Sequence, residues 1–114
     1  MRRTLLFLIL TLGCCSKGPE ADLQYISQAR SLIAEWALIN EQAEGAKLSA
    51  TYVRAMRGDL REHLQTTAKA LTQPNSRYAD EIHAALAERG DASPQQLRAH
   101  ADQLKRIESS LESA

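Results

Sequence analysis

Aromatic residues are scarce in this chain: one Phe, one Trp and three Tyr make up 4% of 114 residues. Val occurs once, at Val53, and no stretch alternates β-branched with polar residues, which argues against a sheet-based fold. Five Gly and three Pro are too few for a fibrous or loop-dominated chain. There is no excess of either charge: 14 Lys+Arg face 14 Asp+Glu, with a pI near 6.8. The chain therefore lacks the surplus of cations that a nucleic-acid binder uses to displace counterions. No apolar run approaches the roughly 20 residues of a transmembrane helix. G-x-S-x-G, H-E-x-x-H, Walker A and dinucleotide glycine fingerprints are all missing, so no enzymatic activity and no cofactor is expected. The length allows one small domain.

What is present begins at the amino terminus. Arg2 and Arg3 precede the apolar run Leu5 to Leu10, and Thr11-Leu12-Gly13 lead into Cys14. A charged n-region, a short h-region and a small residue before a cleavage point are the layout of a secretory signal. Leu10-Thr11-Leu12-Gly13-Cys14 resembles the lipobox of bacterial lipoprotein precursors. The resemblance covers the export segment alone. It implies diacylglyceryl modification of the Cys14 thiol, cleavage after Gly13 and acylation, as with palmitate, of the new amino terminus. Several acyl chains hold a protein on a bilayer far more firmly than one. In this class an Asp at mature position two retains the protein in the inner membrane. Cys15 stands there instead, which implies the periplasmic face of the outer membrane. Two alternatives stay open: cleavage one residue later, with Cys15 as the anchor, and an ordinary cleaved signal that releases the product. The expected organisation is a signal peptide over 1–13, a lipidated cysteine and tether over 14–21, and a helical domain over 22–114.

Both cysteines lie at the acylation site, so the domain has no internal disulfide, Cys-based metal site or Cys nucleophile. Cys15 is left as a linker thiol, without a role or paired with another chain. Removing residues 1–13 leaves 12 basic against 14 acidic residues, a net charge of −2. Among the remaining apolar residues 18 are Ala and only 22 are larger side chains, which suits closely packed helices. The tether of about six residues reaches at most ~20 Å, and Pro19 in a first helical turn would shorten it.

Four helical patterns follow. Over 22–44, Tyr25, Ile26, Ala29, Leu32, Ile33, Trp36, Ala37 and Ile39 recur at three- and four-residue steps, with Gly45 as an expected left-handed stop. Asn40 falls within this apolar sector, where a buried amide fixes register or bonds to Arg54, and Leu38 lies among the polar residues. Ser49 caps a second helix, flanked by a Leu48–Val53 staple. Val53, Met56, Leu60, Leu64, Thr67 and Leu71 mark its buried face, and Pro74 ends it by Gln73. Asn75 or Ser76 caps a third helix carrying Tyr78, Ile82, Ala85 and Leu86 and stopped at Gly90. Ser93-Pro94-Gln95-Gln96 reads as a capping box for a fourth, whose seam is Leu97, Ala101, Leu104, Ile107 and Leu111. Arg98–Asp102 and Asp102–Arg106 have favourable i,i+4 spacing. The fold class is all-α: a small antiparallel bundle of about four helices, a long hairpin packed against a shorter one.

Few residues suggest chemistry. Arg54, Arg57 and Arg61, at i, i+3, i+7, form a basic strip on the second helix, and Arg forks match carboxylates and phosphates. The strip is a candidate contact for anionic lipid head groups or an acidic envelope partner. The competing reading is internal pairing, with Arg54 near Glu41 and Glu44 and the other two near Trp36. His63, His83 and His100, with Asp59 or Asp80, are the residues a small ligand- or metal-binding protein or minor enzyme would use. The favoured reading is ordinary boundary histidines: His63 and His100 border the apolar faces of the second and fourth helices, where a partly buried imidazole hydrogen-bonds to a neighbour. The paired Glu and Glu-x-x-His ligands of two-metal bundles are missing, so no metal is expected. Trp36, Tyr25, Tyr52 and Tyr78 read as core packing. Self-association through Ala-rich faces is a further, purely structural reading. The sequence-level expectation is a membrane-anchored periplasmic lipoprotein whose helical domain binds without catalysis, its named contacts being the bilayer through Cys14 and an envelope protein or anionic surface.

Overall fold

Pro19 opens the first helix, with its ring in the first turn, where no intrahelical N–H is lost, and with Glu20 and Asp22 placed to interact favourably with the helix dipole. A computed structural model describes residues 18–113. The signal segment 1–13, Cys14, Cys15 and the tether up to Lys17 lie outside the described residues. The elements are α1 (Pro19–Glu44), α2 (Ala50–Ala70), α3 (Arg77–Leu86) and α4 (Pro94–Glu112). No strand occurs among the described residues, and the chain is an all-α bundle. α1 starts three residues ahead of the expected boundary at Asp22, so Pro19, Glu20 and Ala21 are helix rather than tether.

Three serines start the other helices. Ser49 Oγ accepts from the Tyr52 N–H at 3.2 Å, Ser76 Oγ from Ala79 at 3.2 Å and Ser93 Oγ from Gln96 at 3.1 Å. Only half of the expected capping box forms, because the Ser93 hydroxyl donates to Gln96 Oε1 at 3.2 Å instead of the Gln96 side chain reaching the Ser93 N–H. α3 ends at Leu86, four residues before Gly90, and the chain turns through 87–92.

The stop after α1 differs from expectation. Gly45 has φ −80°, and the left-handed residue is Ala46, with φ 54°. The Lys47 N–H reaches back to Gln42 O at 3.1 Å, the long bond of a Schellman closure, which places the left-handed position one residue after the glycine. A β-carbon in that conformation costs about 1 kcal/mol. Ala46→Gly is therefore expected to stabilise the domain by roughly 0.5–1 kcal/mol in denaturant unfolding.

α1 lies between α2 and α4, packing most extensively on α4, while α3 closes the remaining side against α2 and α4. The order of contacts gives the directions: Gln28 meets Thr67 and Asn40 meets Arg57 along α2, whereas Arg30 meets Glu108 and Glu41 meets Arg98 along α4. Both neighbours run antiparallel to α1. The core is Ile26, Ile33 and Trp36 of α1 against Leu64, Ile82, Leu97 and Leu104. Fully buried Ala29, Ala37, Ala79 and Ala85 let the helices approach closely where larger side chains are few. The expected i,i+4 pairs on α4 do not form. Arg98 pairs with Glu41 across the α1–α4 interface, and Arg106 leans on Gln103 Oε1 at 3.4 Å. Arg30 Nε sits 3.2 Å from Glu108 Oε1 without hydrogen-bond alignment, so that contact is chiefly electrostatic.

Candidate functional site

Two buried polar clusters hold the bundle, and what they leave free defines the candidate surface. The first centres on Asp22, fully buried in the first turns of α1. Its carboxylate accepts from the Thr72 N–H at 2.9 and 3.1 Å, the Gln73 N–H at 3.2 Å and the Tyr78 hydroxyl at 2.6 Å. The Thr72 hydroxyl lies 3.0 Å from Asp22 Oδ1 and 3.2 Å from Gly18 O and gives its one proton to one of them. Asp22 thus ties the α2–α3 connection to the start of α1. Burial, reinforced by the hydrogen bond to this carboxylate, pushes the Tyr78 hydroxyl up to about 12. The hydroxyl stays protonated and donating well into alkali.

The second cluster docks the 87–92 turn. Trp36 Nε1 donates to Gly90 O at 2.9 Å, and Asn40 Nδ2 donates to Gly90 O at 3.0 Å and Ala92 O at 2.8 Å. Asn40 Oδ1 accepts from Arg57 Nε at 2.8 Å. Arg61 donates to Glu88 O at 2.8 Å and Leu86 O at 3.1 Å, closing the carbonyl end of α3, with its guanidinium 5.2 Å above the Trp36 ring.

The basic strip is thereby divided. Arg61 is committed to α3 and Trp36, and Arg57 is committed through Nε to Asn40, the partner first expected for Arg54. Arg54 is exposed and makes no hydrogen bond or ion pair among the described residues. Its expected partner Glu41 is taken by Arg98. Since α3 stops opposite Arg61, the last turn of α1 and the first turn of α2 extend beyond it. Between them lies an open groove of about 440 Å³ with an apolar floor of Ala43, Leu48 and Val53 and with Arg54 and Arg57 on its wall. Tyr52, expected in the core, is 47% exposed on the first turn of α2.

The histidines are not brought together. His63 and His83 are exposed, His63 beside a shallow depression lined by Gln28, Leu32, Thr66 and Thr67. Asp59 and Asp80 are exposed as well, and no grouping of metal-ligating side chains suited to a metal ion occurs among the described residues. His100 on α4 is held between two carboxylates, Nδ1 2.5 Å from Glu81 and Nε2 2.8 Å from Glu88. Burial pushes the imidazole down, but hydrogen bonds and charge from Glu81 and Glu88 outweigh it, and its pKa is raised. Only the imidazolium donates from both nitrogens. The stability this clamp supplies is fully present below the ordinary histidine value and is lost as pH rises through the raised one. The denaturation midpoint should therefore fall as pH rises from the ordinary histidine value through the raised one, with a smaller fall in His100→Gln.

Sequence reasoning missed Asp22 and, although it placed His100 at the edge of an apolar face beside a hydrogen-bonding neighbour, it named neither Glu81 nor Glu88. Asp22 meets partners 50 to 56 residues away, and no local pattern marks it beyond an acidic residue in a first turn. The chain matches no family model, no curated protein and no solved structure.

Proposed function

We propose that this chain is a lipid-anchored protein of the bacterial envelope, on the periplasmic face of the outer membrane, whose helical domain works by non-catalytic binding. The observation that carries the reading is Leu10-Thr11-Leu12-Gly13-Cys14 behind Arg2, Arg3 and a short apolar run. The helical domain is compatible with that arrangement. α1 begins at Pro19, within five residues of Cys14, and Asp22 fastens this end of the helix to the bundle. The anchor thus leads almost directly into folded chain. No helix of the described residues is long and apolar enough to cross a membrane. Arg54 and the groove beside it are the surface left for a partner.

Cys14→Ala is the test. The parent is expected to sediment with membranes and to incorporate labelled palmitate, and the variant is expected to lose both. A variant that still partitions with membranes and carries as much label as the parent would refute the anchor.

A further inference from the structure

The groove at the α1–α2 end has features that the anchor does not explain. Its floor of Ala43, Leu48 and Val53 is apolar, and Arg54 on its wall has no acceptor among the described residues. Arg57, held through Nε by Asn40, leaves both terminal guanidinium nitrogens without a hydrogen bond among those residues. Lys47 is exposed on the adjoining turn, and of the nearby carboxylates Glu41 is paired with Arg98 and Asp91 with Arg89, leaving Glu44. The end of the hairpin is therefore locally cationic in a domain of net negative charge.

We propose that this groove binds a segment of a partner protein with one apolar side and carboxylates along its edge. Ala43, Leu48 and Val53 receive the apolar side, and Arg54 and the free fork of Arg57 receive the carboxylates. The two arginines differ in kind. Arg57 is pre-oriented by Asn40 and loses little freedom on binding, whereas Arg54 supplies steering and selectivity. Position favours a protein segment over the anchoring bilayer. The groove lies at the far end of α1 from Pro19, about 39 Å along a helix of 26 residues, and it is concave. An anionic head-group surface is better met by protruding cations near the anchor. The short α3 creates the opening: a helix as long as α2 would cover this stretch itself, and the incoming segment takes that place.

The inference names the partner chemistry of the binding function proposed above and rests on that reading. It is tested in the full chain, in the cells that make it, with a photoreactive phenylalanine derivative replacing Ala50 in the groove or Leu38 on the opposite side of α1. Ala50 should yield a discrete adduct with another protein, and the crosslinked segment should combine apolar residues with Asp or Glu. The Leu38 position should yield little. Reversing the free charge with Arg54→Glu should reduce the adduct roughly tenfold, as for the loss of one interfacial charge pair, while Arg54→Lys retains it. Equal adducts from both positions, adducts only with lipid or with a second copy, a segment without carboxylates, or an adduct unchanged by Arg54→Glu would overturn the proposal. Membrane fractionation of the same cells separates the two readings. Released protein with an Arg54-dependent adduct refutes the anchor and leaves the groove standing. Anchored protein with an Arg54-independent adduct does the reverse.

Discussion

Asp22→Ala is expected to destabilise the domain by about 4 kcal/mol, since hydrogen bonds to a charged group are worth about 1.5–3 kcal/mol each, three are lost together, and the Tyr78 hydroxyl is left buried without its acceptor while the exposed Thr72 and Gln73 amides can turn to water. The variant strips the acceptor from the Thr72 and Gln73 amides and from the Tyr78 hydroxyl at once. Small domains have only about 5–15 kcal/mol in hand. The loss should lower Tm by roughly 15–30 °C, at 4–8 °C per kcal/mol for a domain of this size. Tyr78→Phe removes one donor and leaves the carboxylate on its two amides, so it should cost only about 2 kcal/mol, half as much. Equal losses in the two variants would assign the effect to packing around Tyr78 rather than to the carboxylate.

The second large effect belongs to Asn40. Asn40→Leu keeps the branched shape and the number of heavy atoms but removes both of Asn40's donations to the 87–92 turn and the acceptor of Arg57 Nε. Ala92 O loses its side-chain donor, while Gly90 O keeps Trp36. A loss of about 3 kcal/mol is expected, since each buried polar atom left without a partner costs about 1–3 kcal/mol. The damage should be local as well as global. Amide hydrogen exchange should accelerate first at residues 87–92 and at the end of α3, before the α1–α4 interface opens. Uniform acceleration across the domain would show that Asn40 acts through the core as a whole and not through the turn.

The parts of this fold that could be read from the chain are those written in local chemistry. Ser49, Ser76 and Ser93 cap the helices they precede because a cap is decided within three residues. Ile26, Ile33, Leu60, Leu64, Leu97 and Leu104 are buried because helical period alone puts them on one face. The left-handed stop slipped from Gly45 to Ala46 because the Gln42–Lys47 closure, rather than glycine's freedom, chose its place. The second end of α3 was misjudged for a related reason: the carbonyls of Leu86 and Glu88 are satisfied by Arg61 from another helix, so no glycine is required there. Arg98 likewise found Glu41 on a neighbouring helix in preference to Asp102 on its own.

The candidate site was legible only as a strip. Spacing placed Arg54, Arg57 and Arg61 on one edge of α2, but it could not say which guanidinium is spent inside the bundle. That division depends on where α3 ends and on Asn40, Trp36 and the 87–92 turn meeting across about 50 residues of chain. It leaves Arg54 as the exposed cation of the strip.

The fate of the first fourteen residues decides the proposed anchoring, and an intact mass of the protein purified from the cells that make it reads that fate directly. The predicted result is an amino terminus at Cys14, with residues 1–13 gone and the added mass of a diacylglyceryl group and a further acyl chain on that residue. A chain that starts elsewhere, or one beginning at Cys14 without lipid, would contradict it.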